Sequence, residues 1–118
     1  MKLWRPVGAK ELVLIEASGW KGFPPRLPEQ PIFYPVLTFE YAEQIARDWN
    51  ARDGEEGYVV MFDVDDAVAL GYPEQVVGGA KLHRELWVPA EDLPAFNDAI
   101  RGSIELVARY REGARVED

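Results

Sequence analysis

Gly57-Tyr58-Val59-Val60-Met61-Phe62-Asp63-Val64 decides how the rest of the chain is read. From Tyr58 onward the residues are apolar except for Asp63, and Gly57 and Asp65 bound the run, so it reads as a buried strand. Upstream, Thr38 is an N-cap and Glu40 suits the positive end of a helix. Ala42, Ile45, Ala46 and Trp49 follow at i, i+3, i+4 and i+7, the apolar stripe of an amphipathic helix, and a charged turn over residues 50–57 leads into the strand. Downstream, residues 74–77 and 82–88 read as strands separated by Gly78-Gly79. Residues 93–101 read as a helix with Pro94 in its first turn, the stripe Leu93, Phe96, Ile100, and Gly102 as its stop. From Ile104 apolar residues alternate through Leu106, Ala108 and Tyr110, a half-buried final strand. Strands that succeed one another through glycine turns predict a mainly antiparallel α+β fold rather than a doubly wound parallel sheet.

The N-terminal part adds a short strand over residues 3–7, carrying Trp4 and Arg5, and a helix over residues 10–18 closed by Gly19. Residues 19–31 hold Gly22, Pro24, Pro25, Pro28 and Pro31, which exclude a helix or central strand and make a stiff loop. Residues 32–37 read as a strand with the aromatic pair Phe33-Tyr34, and Pro35 assigns it to an edge or a bulge. Residues 65–72 are ambiguous, with a helical turn as one reading. The expectation is a single α+β domain over residues 1–112, with roughly six strands and about three short helices, and a flexible tail at 113–118.

Composition narrows the function classes. The 118 residues carry 13 Lys+Arg against 21 Asp+Glu, a formal net charge of −8, which argues against nonspecific nucleic-acid binding and anionic membranes. No cysteine is present, so thiol catalysis, disulfides and thiolate metal sites are excluded, and His83, the one histidine, builds no zinc site alone. No apolar run approaches ~18 residues and no signal-peptide core interrupts the charged N-terminus, so a soluble cytoplasmic protein without a metal is the default expectation. No Gly-x-Gly-x-x-Gly or phosphate-loop pattern occurs.

The residues that could carry chemistry are Arg5, Tyr34, the run His83-Arg84-Glu85, and Arg26, Glu29 and Gln30 of the proline loop. Each also has a plain structural use: Arg5 as a packed surface cation, Tyr34 as a half-buried aromatic, His83 as a turn residue, Glu85 as a solvent-facing strand residue, the loop charges as solvated groups. The four tryptophans read mostly as core, Trp49 on its regular apolar stripe.

One order of segments resembles a known family. It comprises a first strand with Arg5, a helix closed by Ser18-Gly19, the strand Phe33-Tyr34, the helix Tyr41-Ala42-Glu43-Gln44-Ile45-Ala46 and the strand Gly57-Tyr58-Val59-Val60, then Glu85-Leu86-Trp87-Val88-Pro89-Ala90-Glu91-Asp92-Leu93 with Phe96-Asn97. Over about residues 3–110 this is similar to small bacterial ADP-ribosyltransferase-like, ADP-ribosylation-related proteins. The resemblance implies a split sheet with NAD in a cleft between its halves, and catalytic groups at Arg5, Tyr34 and Glu85, with Phe33 an alternative to Tyr34. It also implies NAD or ADP-ribose as ligand, held by Arg5 and Tyr34, and Arg26 and Arg84 would add to a local cationic patch for the diphosphate. Two residues before the catalytic Glu, arginine-modifying members have Glu or Gln; this chain has His83.

Two other readings stand beside it. A catalytically inactive protein-binding module of the same fold would use the proline loop with Trp20 and Phe23 displayed on it, and hence a protein partner. A hydrolase would use His83 and Glu85, about 6–7 Å apart on one face of an extended strand, as an acid–base pair.

Overall fold

The computed structural model describes residues 1–78 and 83–117. Gly79, Ala80, Lys81, Leu82 and Asp118 lie outside the described residues, and with them part of the expected Gly78-Gly79 turn and the start of the expected strand at 82–88. The architecture is α+β with a mainly antiparallel sheet.

The decisive stretch is the central strand, β3 (Glu56–Val64) once β1 (Lys2–Gly8) and β2 (Ile32–Phe33) precede it. It pairs antiparallel with β1, from Lys2↔Asp63 to Gly8↔Gly57, and on its other side with the strand Ile100–Arg111. Its apolar run is nearly continuous because both faces are covered. Tyr58, Val60, Phe62 and Val64 join a core with Leu3, Val7, Ile15, Phe33 and Phe96, while Val59 joins a second with Ala42, Ala46 and Tyr110.

Helix α1 (Ala9–Ala17) ends where Gly19 takes φ +76°, a left-handed conformation that suits glycine after a helix. The proline loop follows. Phe23, expected on display there, is 4% exposed and packs against Phe33 and Phe62. The expected strand at 32–37 is divided at Pro35. β2 pairs with a strand at Val88–Pro89, whereas Val36 bridges Trp4 of β1 and Glu85. This segment is therefore interior, not an edge: Val36 exchanges both backbone bonds with Trp4, and Pro35 O and Leu37 N bond to Leu86 N and Arg84 O. The ladder loses only the bond that a Pro35 N–H would have made.

In α2 (Phe39–Ile45) Thr38 Oγ1 accepts from Tyr41 N at 3.2 Å, the expected cap. The helix then widens into a π-turn, Ala46–Asn50. That turn overturns one expectation: Trp49 is 66% exposed, not core, because the wider turn carries position 49 off the stripe that Ala42 and Ala46 keep buried. Arg52 lies 4.8 Å over its ring. Trp49→Ala should accordingly change folding free energy by less than about 1 kcal/mol in urea denaturation. A loss of ~3 kcal/mol would return Trp49 to the core.

The ambiguous stretch holds a helical turn, α3 (Asp66–Ala69), capped by Asp65. Next come β4 (Glu74–Val76), paired with β5 (Arg84–Leu86), then β6 (Val88–Pro89) and α4 (Leu93–Asp98). With α3 the described residues hold four α-helices rather than three. α4 ends before the expected Arg101, and Ile100 opens β7 (Ile100–Arg111); Gly102, at φ +71°, sits inside that strand beside a register shift rather than stopping the helix. A second shift pairs Val59 with Ala108 but Val60 with Leu106. The strict alternation fails there: Ile104 faces one core, Ala108 and Tyr110 the other, and Leu106 is exposed. The expected tail turns back at Glu112 and Gly113, both with positive φ, into β8 (Ala114–Arg115) on the edge of β7. Among the described residues no helix is long and apolar enough to cross a membrane.

Candidate functional site

On β1 the side chains of Leu3, Arg5 and Val7 alternate inward, so an arginine occupies a core-facing position and is 8% exposed. Its guanidinium is held by Glu11 of α1: Nε donates to Oε2 at 2.7 Å and Nη2 to Oε1 at 3.0 Å. Nη1 donates to the Tyr34 carbonyl at 3.3 Å, and the group lies 4.6 Å over the Phe33 ring. A planar fork of donors over an aromatic face is a geometry that arginine supports and lysine does not. Because Val36 bridges Trp4 and Glu85, the same seam brings Glu85 to this region, also 8% exposed.

A cavity of about 480 Å³ opens there, lined among others by Arg5, Arg26, Tyr34, Asn50, Glu85 and Trp87. Arg26, on the proline loop, donates Nε to Ile32 O at 3.1 Å and stands 5.9 Å from the Phe33 centroid. Burial, and then the neighbouring Arg5 guanidinium, hold its pKa below the ordinary arginine value. Two cations over one ring, with Arg5 already paired to Glu11, favour an anionic group beside Arg26.

The Glu85 carboxylate is held at both oxygens. Tyr41 OH donates to Oε2 at 3.0 Å and Trp87 Nε1 to Oε1 at 2.8 Å. Burial first, and then the Glu85 carboxylate, push the Tyr41 hydroxyl up to about 12, so it remains a donor at neutral pH. The Tyr41 ring stacks on His83 with centroids 4.6 Å apart, and His83 Nε2 lies 2.9 Å from Gln44 Oε1. Trp87 and Tyr34, both partly exposed, meet edge to face at 6.3 Å. Asn50 reaches the cavity from the π-turn, and its buried Oδ1 has no hydrogen-bond partner among the described residues.

Of the residues singled out in the sequence, Arg5, Arg26, Tyr34 and Glu85 line this one cavity. Arg84 does not join them; as the neighbour of Glu85 on a strand it turns to Glu74, its Nη1 donating to Oε1 at 2.9 Å. Gln30 shapes the loop, Oε1 accepting from Leu27 N, and Glu29 is exposed. His83 precedes β5 and stacks on Tyr41. Sequence reading missed Glu11, Tyr41, Asn50 and Trp87. Trp87 had a signal, two residues from Glu85; Asn50 had none, because the π-turn that places it leaves no periodic trace.

The fold and the site define an α+β protein with a small-molecule-sized cavity in which a buried carboxylate and guanidinium groups face a common space. No family model, curated protein or solved structure matches the chain.

Proposed function

We propose that the cavity binds an ADP-ribose-containing nucleotide, NAD or ADP-ribose, and that with NAD the protein cleaves or transfers at the nicotinamide–ribose bond. The observation that carries this reading is the joint placement of Arg5, Arg26, Tyr34, Glu85 and Trp87 around one hollow of about 480 Å³, within the ~300–1,000 Å³ usual for small-molecule sites.

In this reading Arg26 takes diphosphate oxygens, since Glu11 already occupies most of the Arg5 fork. Arg5 adds fixed positive potential rather than a free fork. Tyr34 and Trp87 flank a planar ring. Glu85, oriented by its two donors, accepts from ribose hydroxyls and opposes the positive charge that grows on the ribose as the glycosidic bond breaks.

Titration calorimetry with ADP-ribose and NAD tests it, with nicotinamide release as the catalytic readout. Wild-type protein should bind ADP-ribose, and Glu85→Gln should weaken binding roughly tenfold or more and slow nicotinamide release by about a hundredfold. Silence of the wild type at millimolar ligand would end the nucleotide reading.

A further inference from the structure

We infer that Tyr41 is a positioning residue for Glu85: its hydroxyl holds the carboxylate in the orientation that faces the ligand. The inference rests on the reading of the cavity as a ligand site, and it concerns a residue that does not itself line the cavity.

A glutamate beside a hollow has three side-chain torsions and room to swing. The cavity also contains two guanidinium groups, Arg5 and Arg26, that attract it. Each Glu85 oxygen nevertheless has a defined donor, Tyr41 OH on Oε2 and Trp87 Nε1 on Oε1. One donor per oxygen sets the plane of the carboxylate and leaves acceptor capacity on both oxygens.

The two donors differ in kind. Trp87 lines the cavity and its ring meets Tyr34, so it is placed to touch a ligand as well. Tyr41 is buried in the second core, beneath the site. Its hydroxyl meets the site through Glu85.

Tyr41 is in turn fixed at backbone and ring. The Thr38 cap accepts from its backbone N–H, its ring stacks on His83, and His83 is tied to Gln44 one helical turn along α2. A donor restrained at backbone and ring loses little further freedom when its hydroxyl bonds, which is how a buried phenol orients a more mobile acid.

Tyr41→Phe keeps the ring and its stack while deleting the donor. The first readout needs no ligand: the indole N–H resonance of Trp87, which reports its bond to Glu85 Oε1, should shift in Tyr41→Phe. It should shift in Glu85→Ala too, with no further change on adding Tyr41→Phe to that background. An unmoved Trp87 resonance in a folded Tyr41→Phe protein overturns the inference. The second readout is ADP-ribose affinity. Tyr41→Phe should weaken it roughly tenfold in the wild type and leave it unchanged in Glu85→Ala; equal losses in both backgrounds would mean that Tyr41 does not act through Glu85. A wild type that fails to bind ADP-ribose removes the nucleotide reading, while the Trp87 resonance still decides the positioning claim. Should Tyr41→Phe not fold, Glu85→Gln carries the test alone: the Tyr41 ring resonance, followed by NMR against pH, should titrate lower than in the wild type, since the Glu85 carboxylate helps raise the hydroxyl. No drop would overturn the inference.

Discussion

Phe33→Ala is expected to cost about 4 kcal/mol of folding free energy, read as a lowered urea midpoint and melting temperature. The ring is fully buried, 4.9 Å from Phe23 and 5.8 Å from Phe96, where the proline loop and α4 meet the sheet. Truncation removes its transfer free energy and leaves a void that a loop fixed by several prolines closes poorly. It also strips the aromatic face from Arg5 and Arg26, 4.6 and 5.9 Å from the centroid. Domains of this size are stable by roughly 5–15 kcal/mol, so the variant should lie near the edge of folding. A loss under ~1 kcal/mol would show that Phe33 is not a keystone of the core.

Gly57→Ala should destabilise by about 3 kcal/mol, although alanine is ordinarily the better strand residue by roughly 0.5–1 kcal/mol. The opposing signs make the experiment decisive. A Cβ at Gly57 would run into the carbonyl of Ala46 and sit 2.8 Å from Asn50 Cβ. The first obstacle is backbone and cannot rotate away, so the π-turn would have to shift. Because that turn also delivers Asn50 to the cavity, ligand affinity should fall with stability. Unchanged or raised stability in chemical denaturation would mean that the close approach of the turn to β3 is not a constraint.

Breaking the Arg5–Glu11 pair gives a smaller but diagnostic effect. Glu11→Gln leaves a nearly buried guanidinium facing a neutral amide, with an expected loss of about 2 kcal/mol. Partial exposure of Glu11 keeps the loss below that of a fully buried pair. The freed fork should also tighten binding of an anionic ligand, measurable in the same calorimetry as the Glu85 variant.

Where residue chemistry acts over a few positions, the chain was readable in advance. Thr38 caps α2 because its hydroxyl reaches an amide three residues on, and Gly19 ends α1 because glycine takes the left-handed turn there without strain. The run from Tyr58 to Val64 signalled a strand buried on both faces, and successive strands through glycine turns signalled an antiparallel α+β fold. Arg5, read as a packed surface cation, is instead nearly buried, because it shares parity with Leu3 and Val7 on one strand.

Other features came from contacts between distant segments. Trp49 left the core because Gly57, more than a turn away in the chain, admits the carbonyl of a π-turn. Pro35 proved interior because Val36 supplies the pairing to β1 on its behalf. Arg84 turned from the cavity and Tyr41 became a partner of Glu85 through the pairing of β4 with β5 and the packing of α2 against β1 and β3. Local pattern sets which elements form, because capping, periodicity and torsional preference act within a few residues. Which side chains meet depends on register, bulges and close backbone approaches, and those are set only when strands far apart in the chain come together.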